Sequence, residues 1–148
     1  MDMRFQGCTA IITGAASGMG LVASQEMAKE GAVIYMVDIN EERLRQAAQD
    51  ICSSGGQAVP CVCDIRDYEQ IQAVVKQCMD EQGHVDIVIN FAGGFPARMC
   101  GLTDGAFIRT PLEVLDWGIQ VNFRAPMLFA RSVMEHMMNQ KRGVIINI

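Results

Sequence analysis

Basic residues, long apolar runs and spaced metal ligands are scarce in this sequence, and each scarcity argues against a class of protein. Twelve Lys and Arg stand against 17 Asp and Glu, so the net charge is −5. A nucleic-acid surface needs clustered positive charge instead. No apolar run reaches the roughly 18 residues of a membrane span, and residues 1–4 lack the apolar segment of a secretory signal. We therefore predict no nucleic-acid partner and no membrane insertion.

Six cysteines are present, but no recognised pattern of metal ligands accompanies them. The pair Cys61 and Cys63 would place both thiols on the same face of a predicted strand. We interpret the cysteines as free and mostly buried, and we predict no metal site. Free thiols are typical of a reducing compartment, so we expect a cytoplasmic protein.

Strand and helix patterns alternate along the whole chain. Short runs rich in Val and Ile are nearly continuous in apolar character, as in parallel strands covered on both faces. The predicted strands are residues 8–13, 32–37, 57–63, 85–90 and 143–148. The predicted helices are residues 19–30, 41–54, 67–82 and 111–140. The last helix should kink near Pro126. The pattern predicts one α/β domain, a doubly wound parallel sheet, over residues 1–148.

A glycine-rich turn joins the first predicted strand to the first helix. Residues 13–20 have the sequence T-G-A-A-S-G-M-G. Its three glycines, which would let a pyrophosphate approach bare backbone, are Gly14, Gly18 and Gly20. The first N–H groups of a helix have no internal partner, and the helix dipole favours an anion there. We therefore expect Ser17 and Met19 to contribute backbone N–H groups. A purely conformational role for the glycines is the alternative.

An acidic residue ends the second predicted strand. Asp38 follows Gly20 at about the spacing, roughly 20 residues, of a carboxylate that binds the adenosine ribose. Turn, helix, strand and acid together predict a dinucleotide-binding unit of the Rossmann type, with Ile39 included in the site. A 2′-phosphate would be repelled by this carboxylate, and neither Ser17 nor Ile39 offers a positive charge. We predict NAD as the cofactor in preference to NADP.

The glycine spacing G-x-x-x-G-x-G after Thr13 resembles that of the short-chain dehydrogenase/reductase family. The resemblance continues in order along the chain with Asp64, with the segment at residues 90–93 and with Asn122. It implies the strand order 3-2-1-4-5 without the later strands of the family. The nucleotide crevice would lie between strands 1 and 4. Another Rossmann enzyme, such as a methyltransferase, would also use Asp38, but the glycine spacing argues against it.

The resemblance also implies individual roles. Asp64 would accept a hydrogen bond from the adenine amino group, with the N–H of Ile65 on a ring nitrogen. Asn122 would be the asparagine of the catalytic tetrad, whose backbone carbonyl holds a water in a proton relay.

A third group of residues would line the central ribose of the cofactor. These residues are Asn90, Ala92 and Gly93. Phe91 stands where the family has a second asparagine, so a polar tie across the sheet must be lost or rerouted.

The family activity implied is hydride transfer between NAD(H) and a secondary alcohol or ketone. The catalytic serine and the Tyr-x-x-x-Lys pair of the family are not among these 148 residues, and Tyr68 is followed four residues on by Gln72. We therefore expect no catalysis from the chain by itself. The alternative function is a non-catalytic NAD-binding or interaction module.

The last predicted helix and the loop before it are expected to contact a second subunit and the substrate, respectively. In the family the matching helix packs against its twin in a second subunit, which implies a homo-oligomer. The alternative places the methionines of this helix in the core. The long loop at residues 93–111 is expected to border the substrate.

Overall fold

The structure, a computed structural model, describes residues 3–95, 101 and 107–148. The strands are β1 (Thr9–Thr13), β2 (Val33–Asp38), β3 (Gln57–Val62), β4 (Ile87–Asn90) and β5 (Val144–Asn147). The helices are α1 (Gly18–Lys29), α2 (Glu41–Ser53), α3 (Tyr68–Gln82), α4 (Leu112–Ile119) and α5 (Ala125–Gln140). A 3₁₀ turn at Phe107–Arg109 precedes α4, and a π-helical turn at Gln120–Arg124 joins α4 to α5.

The five strands form one parallel sheet in the order β3-β2-β1-β4-β5, as predicted. Thr13, the last residue of β1, pairs with Val37 on one side and with Asn90 on the other. Asn90 in turn pairs with Asn147 of β5. The strand order reverses between β1 and β4, and doubly wound sheets bind ligands at the carboxyl ends of the strands on either side of such a reversal.

Each face of the sheet carries its own apolar core, because successive side chains of a strand point to opposite faces. The core beneath α1 and α2 includes Ile12, Ile34, Met36, Leu44 and Ile51. The core beneath α3 and α5 includes Ile11, Tyr35, Val88, Ile71 and Phe129. Strands buried on both faces explain the continuous apolar runs of the sequence.

Capping residues fix the ends of the helices. The side chain of Asn40 accepts the N–H of Arg43 at 3.1 Å, and Asp67 accepts two N–H groups in the first turn of α3. Gly31 and Gly55 follow the ends of α1 and α2 with φ of 93° and 87°, the left-handed conformation of a helix C′ residue. These ends agree with the predicted helices to within one or two residues.

The last predicted helix is helical throughout residues 112–140, with the π-helical turn interrupting its α-helical hydrogen bonding just before Pro126, and the kink expected there stays a prediction. Pro126, the second residue of α5, has no N–H to donate, and the N–H of Ala125 just before it reaches the carbonyl of Gln120 five residues back. The methionines beyond it divide between two environments. Met137 is buried in the core, whereas Met127, Met134 and Met138 are exposed.

Cys61, Cys63 and Cys78 are buried in the core beneath α3 and α5, as predicted for the first two. Burial is the largest cause that raises the pKa of each of these thiols to about 12. Cys100 and most of the predicted substrate loop, residues 96–100 and 102–106, lie outside the described residues.

Candidate cofactor site

A cleft of about 520 Å³ opens at the carboxyl ends of the strands, where the sequence predicts the nucleotide. Predicted site residues that line it are Gly14, Ser17, Gly18, Met19, Gly20, Asp38, Ile39, Asp64, Ile65, Ala92 and Gly93. The two other predicted residues lie beside the cleft, where the side chain of Asn90 bonds that of Asn147 and the side chain of Asn122 bonds the backbone of Gly94. Six further lining residues were not predicted for the site, and these are Val37, Cys63, Arg66, Phe91, Trp117 and Val121.

The three glycines of the turn after β1 meet different requirements. Gly14 has φ of 66°, and a Cβ there would lie 2.9 Å from the backbone nitrogen of Ala92. Gly18 has φ of 54°, and a Cβ there would have no atom of the described residues within 4 Å. A Cβ on Gly20 would collide with the carbonyl oxygen of Gly14. Gly20 therefore packs against the protein itself as well as lining the cleft, and its role toward a ligand stays a prediction.

The start of α1 is open toward the cleft. Ser17, the residue before the helix, is extended with φ of −161°, and its side chain makes no capping hydrogen bond. The first N–H groups of α1, at Gly18, Met19 and Gly20, therefore have neither a helical partner nor a side-chain cap among the described residues. Met19 is 62% exposed. The helix start offers uncompensated donors and a favourable dipole to an anion.

Asp38 joins the end of β2 to the glycine turn. One carboxylate oxygen accepts the N–H of Ala16 at 3.1 Å, and the other accepts the N–H of Asn40 at 3.0 Å. A carboxylate has about four lone-pair sites, so each oxygen keeps capacity for a further donor. The carboxylate is thus fixed in place while it can still bind hydroxyl groups in the cleft.

Asp64 forms an ion pair with Arg66, a residue that the sequence reasoning missed. Nε and Nη2 of Arg66 lie 2.9 Å and 2.5 Å from the two carboxylate oxygens, and the backbone N–H of Arg66 adds a bond at 3.0 Å. The guanidinium hydrogen bonds hold the pKa of Asp64 below its usual range. Two residues of separation in a loop give no sequence signal for this pairing, which depends on the rotamers of both side chains.

The polar tie across the sheet is made by Asn90 itself. Its Nδ2 donates to Oδ1 of Asn147 at 2.8 Å, which joins the ends of β4 and β5. On the other side of β4, the hydroxyl of Thr13 accepts the N–H of Ala92 at 3.1 Å. Phe91 is partly buried against the core beneath α1 and α2. The tie expected to be lost or rerouted at Phe91 is carried by neighbouring residues.

Asn122 lies in the π-helical turn, and its side chain holds the backbone of Gly94. Its Oδ1 accepts the N–H of Gly94 at 3.0 Å, and its Nδ2 donates to the carbonyl of Gly94 at 2.9 Å. A Cβ on Gly93 would lie 2.5 Å from Oδ1 of Asn122, and one on Gly94 would lie 2.9 Å from the Trp117 ring. The segment after β4 therefore passes close beneath the π-helical turn. The catalytic role of Asn122 stays a prediction.

Residues 3–95, 101 and 107–148 contain neither a metal-binding cluster nor a membrane-spanning helix. No group of three or more His, Cys, Asp or Glu side chains there could hold a metal ion. None of the helices in the same ranges combines the length and the apolar character needed to cross a membrane.

The fold and the cleft define a doubly wound domain of the dinucleotide-binding class. The sequence profile described as short chain dehydrogenase matches residues 8–148, and the chain belongs to this family. The relatives are dehydrogenases and oxidoreductases, which makes this an oxidoreductase family.

Three relatives illustrate the similarity. A short chain dehydrogenase of Pseudocercospora fijiensis is 36% identical, over 98% of this chain and 45% of the relative. The structure of a 7α-hydroxysteroid dehydrogenase complexed with NADH and 7-oxo glycochenodeoxycholic acid has a TM-score of 0.86 at 30% identity, over 99% of this chain and 55% of that one. A metagenomic short-chain oxidoreductase in complex with NADP has a TM-score of 0.86 at 29% identity, over 97% and 62%.

The chain spans about half the length of the curated relatives it matches. The bound molecules of the two structural relatives support a nicotinamide cofactor for the family cleft.

Proposed function

We propose that this chain supplies the cofactor-binding part of an NAD-dependent oxidoreductase. The reaction is hydride transfer between NAD(H) and a secondary alcohol or ketone. The carboxylate of Asp38 carries the proposal, because two backbone N–H groups fix it at the end of β2 beside the open start of α1. Residues of the chain bind and orient the dinucleotide, and the nicotinamide ring supplies the redox chemistry when it is bound. A cytoplasmic location belongs to the same proposal.

Charge favours NAD over NADP at this position. A 2′-phosphate beside the Asp38 carboxylate would experience a repulsion on the order of a few kcal/mol in a partly exposed site. Arg66 is the one Lys or Arg among the described residues that line the cleft, and it pairs with Asp64, the residue expected at the adenine, whereas the 2′-phosphate would lie beside Asp38. A site for NADP usually brings an arginine to the phosphate instead.

Titration calorimetry with NAD and NADP tests this proposal. We expect the protein to bind NAD at least about tenfold more tightly than NADP, and Asp38→Ala to lose that preference. The matched control is Asp80→Ala, which removes the same charge from the exposed face of α3 and should leave both affinities unchanged. Equal affinity of the unchanged protein for the two cofactors would refute the choice of NAD.

Turnover distinguishes the enzyme from a non-catalytic module that binds NAD. The assay follows reduction of NAD across a panel of secondary alcohols, using the natural protein at its full length. Reduction above the rate of a Gly18→Trp variant supports the oxidoreductase. Tight binding without reduction of NAD supports the binding module.

The exposed apolar side chains of the π-helical turn and α5 support a homo-oligomer. Phe123, Met127 and Met138 are all more than half exposed on this surface. A second copy of the same surface would remove them from water. We expect Phe123→Glu to lower the mass measured by sedimentation. Val22→Glu, which likewise replaces an exposed apolar residue by glutamate but on α1, should leave the mass unchanged. An unaltered mass in Phe123→Glu would exclude this surface.

A further inference from the structure

We infer that Arg66 determines which purine base the cleft accepts, because it pairs with the carboxylate expected to bind the adenine amino group. The inference rests on the proposed function, since it concerns the adenine end of the proposed NAD site. It assigns Arg66 a role in specificity: the Asp64–Arg66 pair offers both hydrogen-bond acceptors and donors to the edge of the base.

The Asp64 carboxylate already accepts several hydrogen bonds from Arg66. Oδ1 accepts the backbone N–H and the Nε–H of Arg66, and Oδ2 accepts from Nη2 and, at 3.1 Å, from the same Nε. Three N–H donors thus occupy an anion that has room for about four. A base that approaches Asp64 therefore meets a carboxylate that already accepts most of the hydrogen bonds it can.

The guanidinium of Arg66 has more N–H groups than Asp64 accepts. A guanidinium carries five N–H groups in a fixed planar fork, and Nε with one hydrogen of Nη2 accounts for two of them on Asp64. Arg66 lines the cleft together with Ile65, and its side chain is 40% exposed. The pair therefore presents donors next to the remaining acceptor capacity of the carboxylate.

The backbone of Arg66 is held on both sides. Its N–H donates to Asp64 at 3.0 Å, and its carbonyl accepts from Nη1 of Arg124, in the π-helical turn, at 3.2 Å. Because the main chain is fixed, the guanidinium starts from a defined position, and little further ordering is needed when a base binds.

Adenine and hypoxanthine offer different hydrogen-bonding groups to the Asp64–Arg66 pair. A carboxylate alone accepts from the 6-amino group of adenine but faces the 6-oxo group of hypoxanthine with acceptor against acceptor. Sites that leave polar groups mispaired in this way discriminate strongly. With Arg66 present, the 6-oxo group can accept from the guanidinium while the ring N1–H donates to the carboxylate.

The experiment measures a ratio of affinities. Calorimetry compares NAD with nicotinamide hypoxanthine dinucleotide for the unchanged protein, Arg66→Met and Arg45→Met, because methionine has a similar length and no N–H donor. Arg45 is an exposed arginine on α2 paired with Glu41, so its substitution matches the charge change away from the cleft. We expect the unchanged protein to prefer NAD by less than about tenfold, and Arg66→Met to raise that preference at least about tenfold. We expect Arg45→Met to leave it unchanged.

The outcomes distinguish failure of the proposed function from failure of the inference about Arg66. If the unchanged protein binds neither dinucleotide, the proposed function fails, and this inference fails with it. If NAD binds but the unchanged protein already prefers it by more than about tenfold, or Arg66→Met raises the preference by less than about tenfold, this inference alone is overturned. Should Arg66→Met fail to fold, Arg66→Lys replaces it, because it keeps the charge but loses the planar fork. A preference for NAD above that of the unchanged protein then supports the inference, and an unaltered preference overturns it.

Discussion

Individual residues at the cleft serve the protein backbone as much as a ligand. Gly20 lacks a side chain because the carbonyl of Gly14 occupies the space where a Cβ would stand. Gly14 in turn lacks a side chain because its Cβ would lie 2.9 Å from the backbone nitrogen of Ala92, just after β4. The turn is thus packed from two directions, and Gly18 is the glycine with open space in front of it.

A methyl group at position 20 should destabilise the protein and weaken NAD binding together. In Gly20→Ala the Cβ collides with backbone that cannot rotate away, and overpacking of this kind costs about 1–3 kcal/mol. Urea unfolding and calorimetry measure the two effects. The control is Gly55→Ala, whose φ of 87° strains a helix end while its Cβ meets no described atom within 4 Å. Gly55→Ala should lose stability without losing affinity for NAD, and a normal affinity in Gly20→Ala would contradict the packing argument.

The ion pair of Asp64 and Arg66 should make a small part of the stability depend on acid pH. The pKa of Asp64 is lowered in the folded protein, below about 3.9 for the unfolded chain. Its stabilising contribution is therefore complete above that unfolded value and is lost as pH falls through the folded pKa. For a partly exposed pair we expect about 0.5 kcal/mol at pH 7.

Urea unfolding of the unchanged protein and of Arg66→Gln, at several pH values from 7 to 3, checks this expectation. The difference in unfolding free energy should shrink toward zero as Asp64 becomes protonated. Repeating the comparison in an Asp64→Asn background isolates the pair, and there the difference should be flat. A difference that grows toward acid pH would give the opposite sign and reject the assignment.

Among the elements, the π-helical turn between α4 and α5 has the most direct effect on the cleft. It turns the side chain of Asn122 onto both backbone groups of Gly94, and it places the guanidinium of Arg124 on the carbonyl of Arg66. Single π-helical turns inside helices are rare and often lie at functional sites. One turn therefore connects the segment after β4 with the loop after β3.

Removing the Asn122 amide should release the segment after β4. Asn122→Ala loses two hydrogen bonds to Gly94, each worth about 1 kcal/mol at most at this exposed position. Hydrogen exchange should show lost protection of the Gly94 amide, with the amides of β1 unchanged. Asn139→Ala, an exposed asparagine on α5, is the matched control. Retained protection at Gly94 would mean that the loop is held by other contacts.

Across the whole molecule, three buried thiols report on the integrity of the fold. Cys61, Cys63 and Cys78 lie in one core, and a pKa raised to about 12 leaves roughly one thiol in ten thousand as thiolate at pH 8. Because the thiolate is the reactive form, iodoacetamide should label exposed Cys52 quickly and these three only on unfolding. Peptide mass mapping along a urea series measures it. Labelling of any of the three at the rate of Cys52 in the native protein would contradict their burial.

Sequence patterns predicted the elements well because the patterns are local. Continuous apolar runs, capping residues such as Asn40 and Asp67, and glycines at turns fix where strands and helices lie. The cleft followed from the glycine turn and Asp38, since the carboxyl ends of parallel strands meet at one edge.

Side-chain pairs distant in sequence could not be predicted in the same way. The bond between Asn90 and Asn147 depends on the register of two strands 57 residues apart. The bonds of Asn122 to Gly94 depend on how a π-helical turn rotates one side chain, which Pro126 alone does not specify. Such contacts arise from the assembled fold and leave no periodic trace in the chain.

Trp117 has a practical consequence for studies of this protein. It is the single tryptophan of the sequence, and its ring lies over Gly94 in the lining of the cleft. Reduced nicotinamide absorbs light in the region where indole emits, and the oxidised ring does not. The emission of one native residue can therefore report, without any label, both occupancy of the cleft and the redox state of what occupies it.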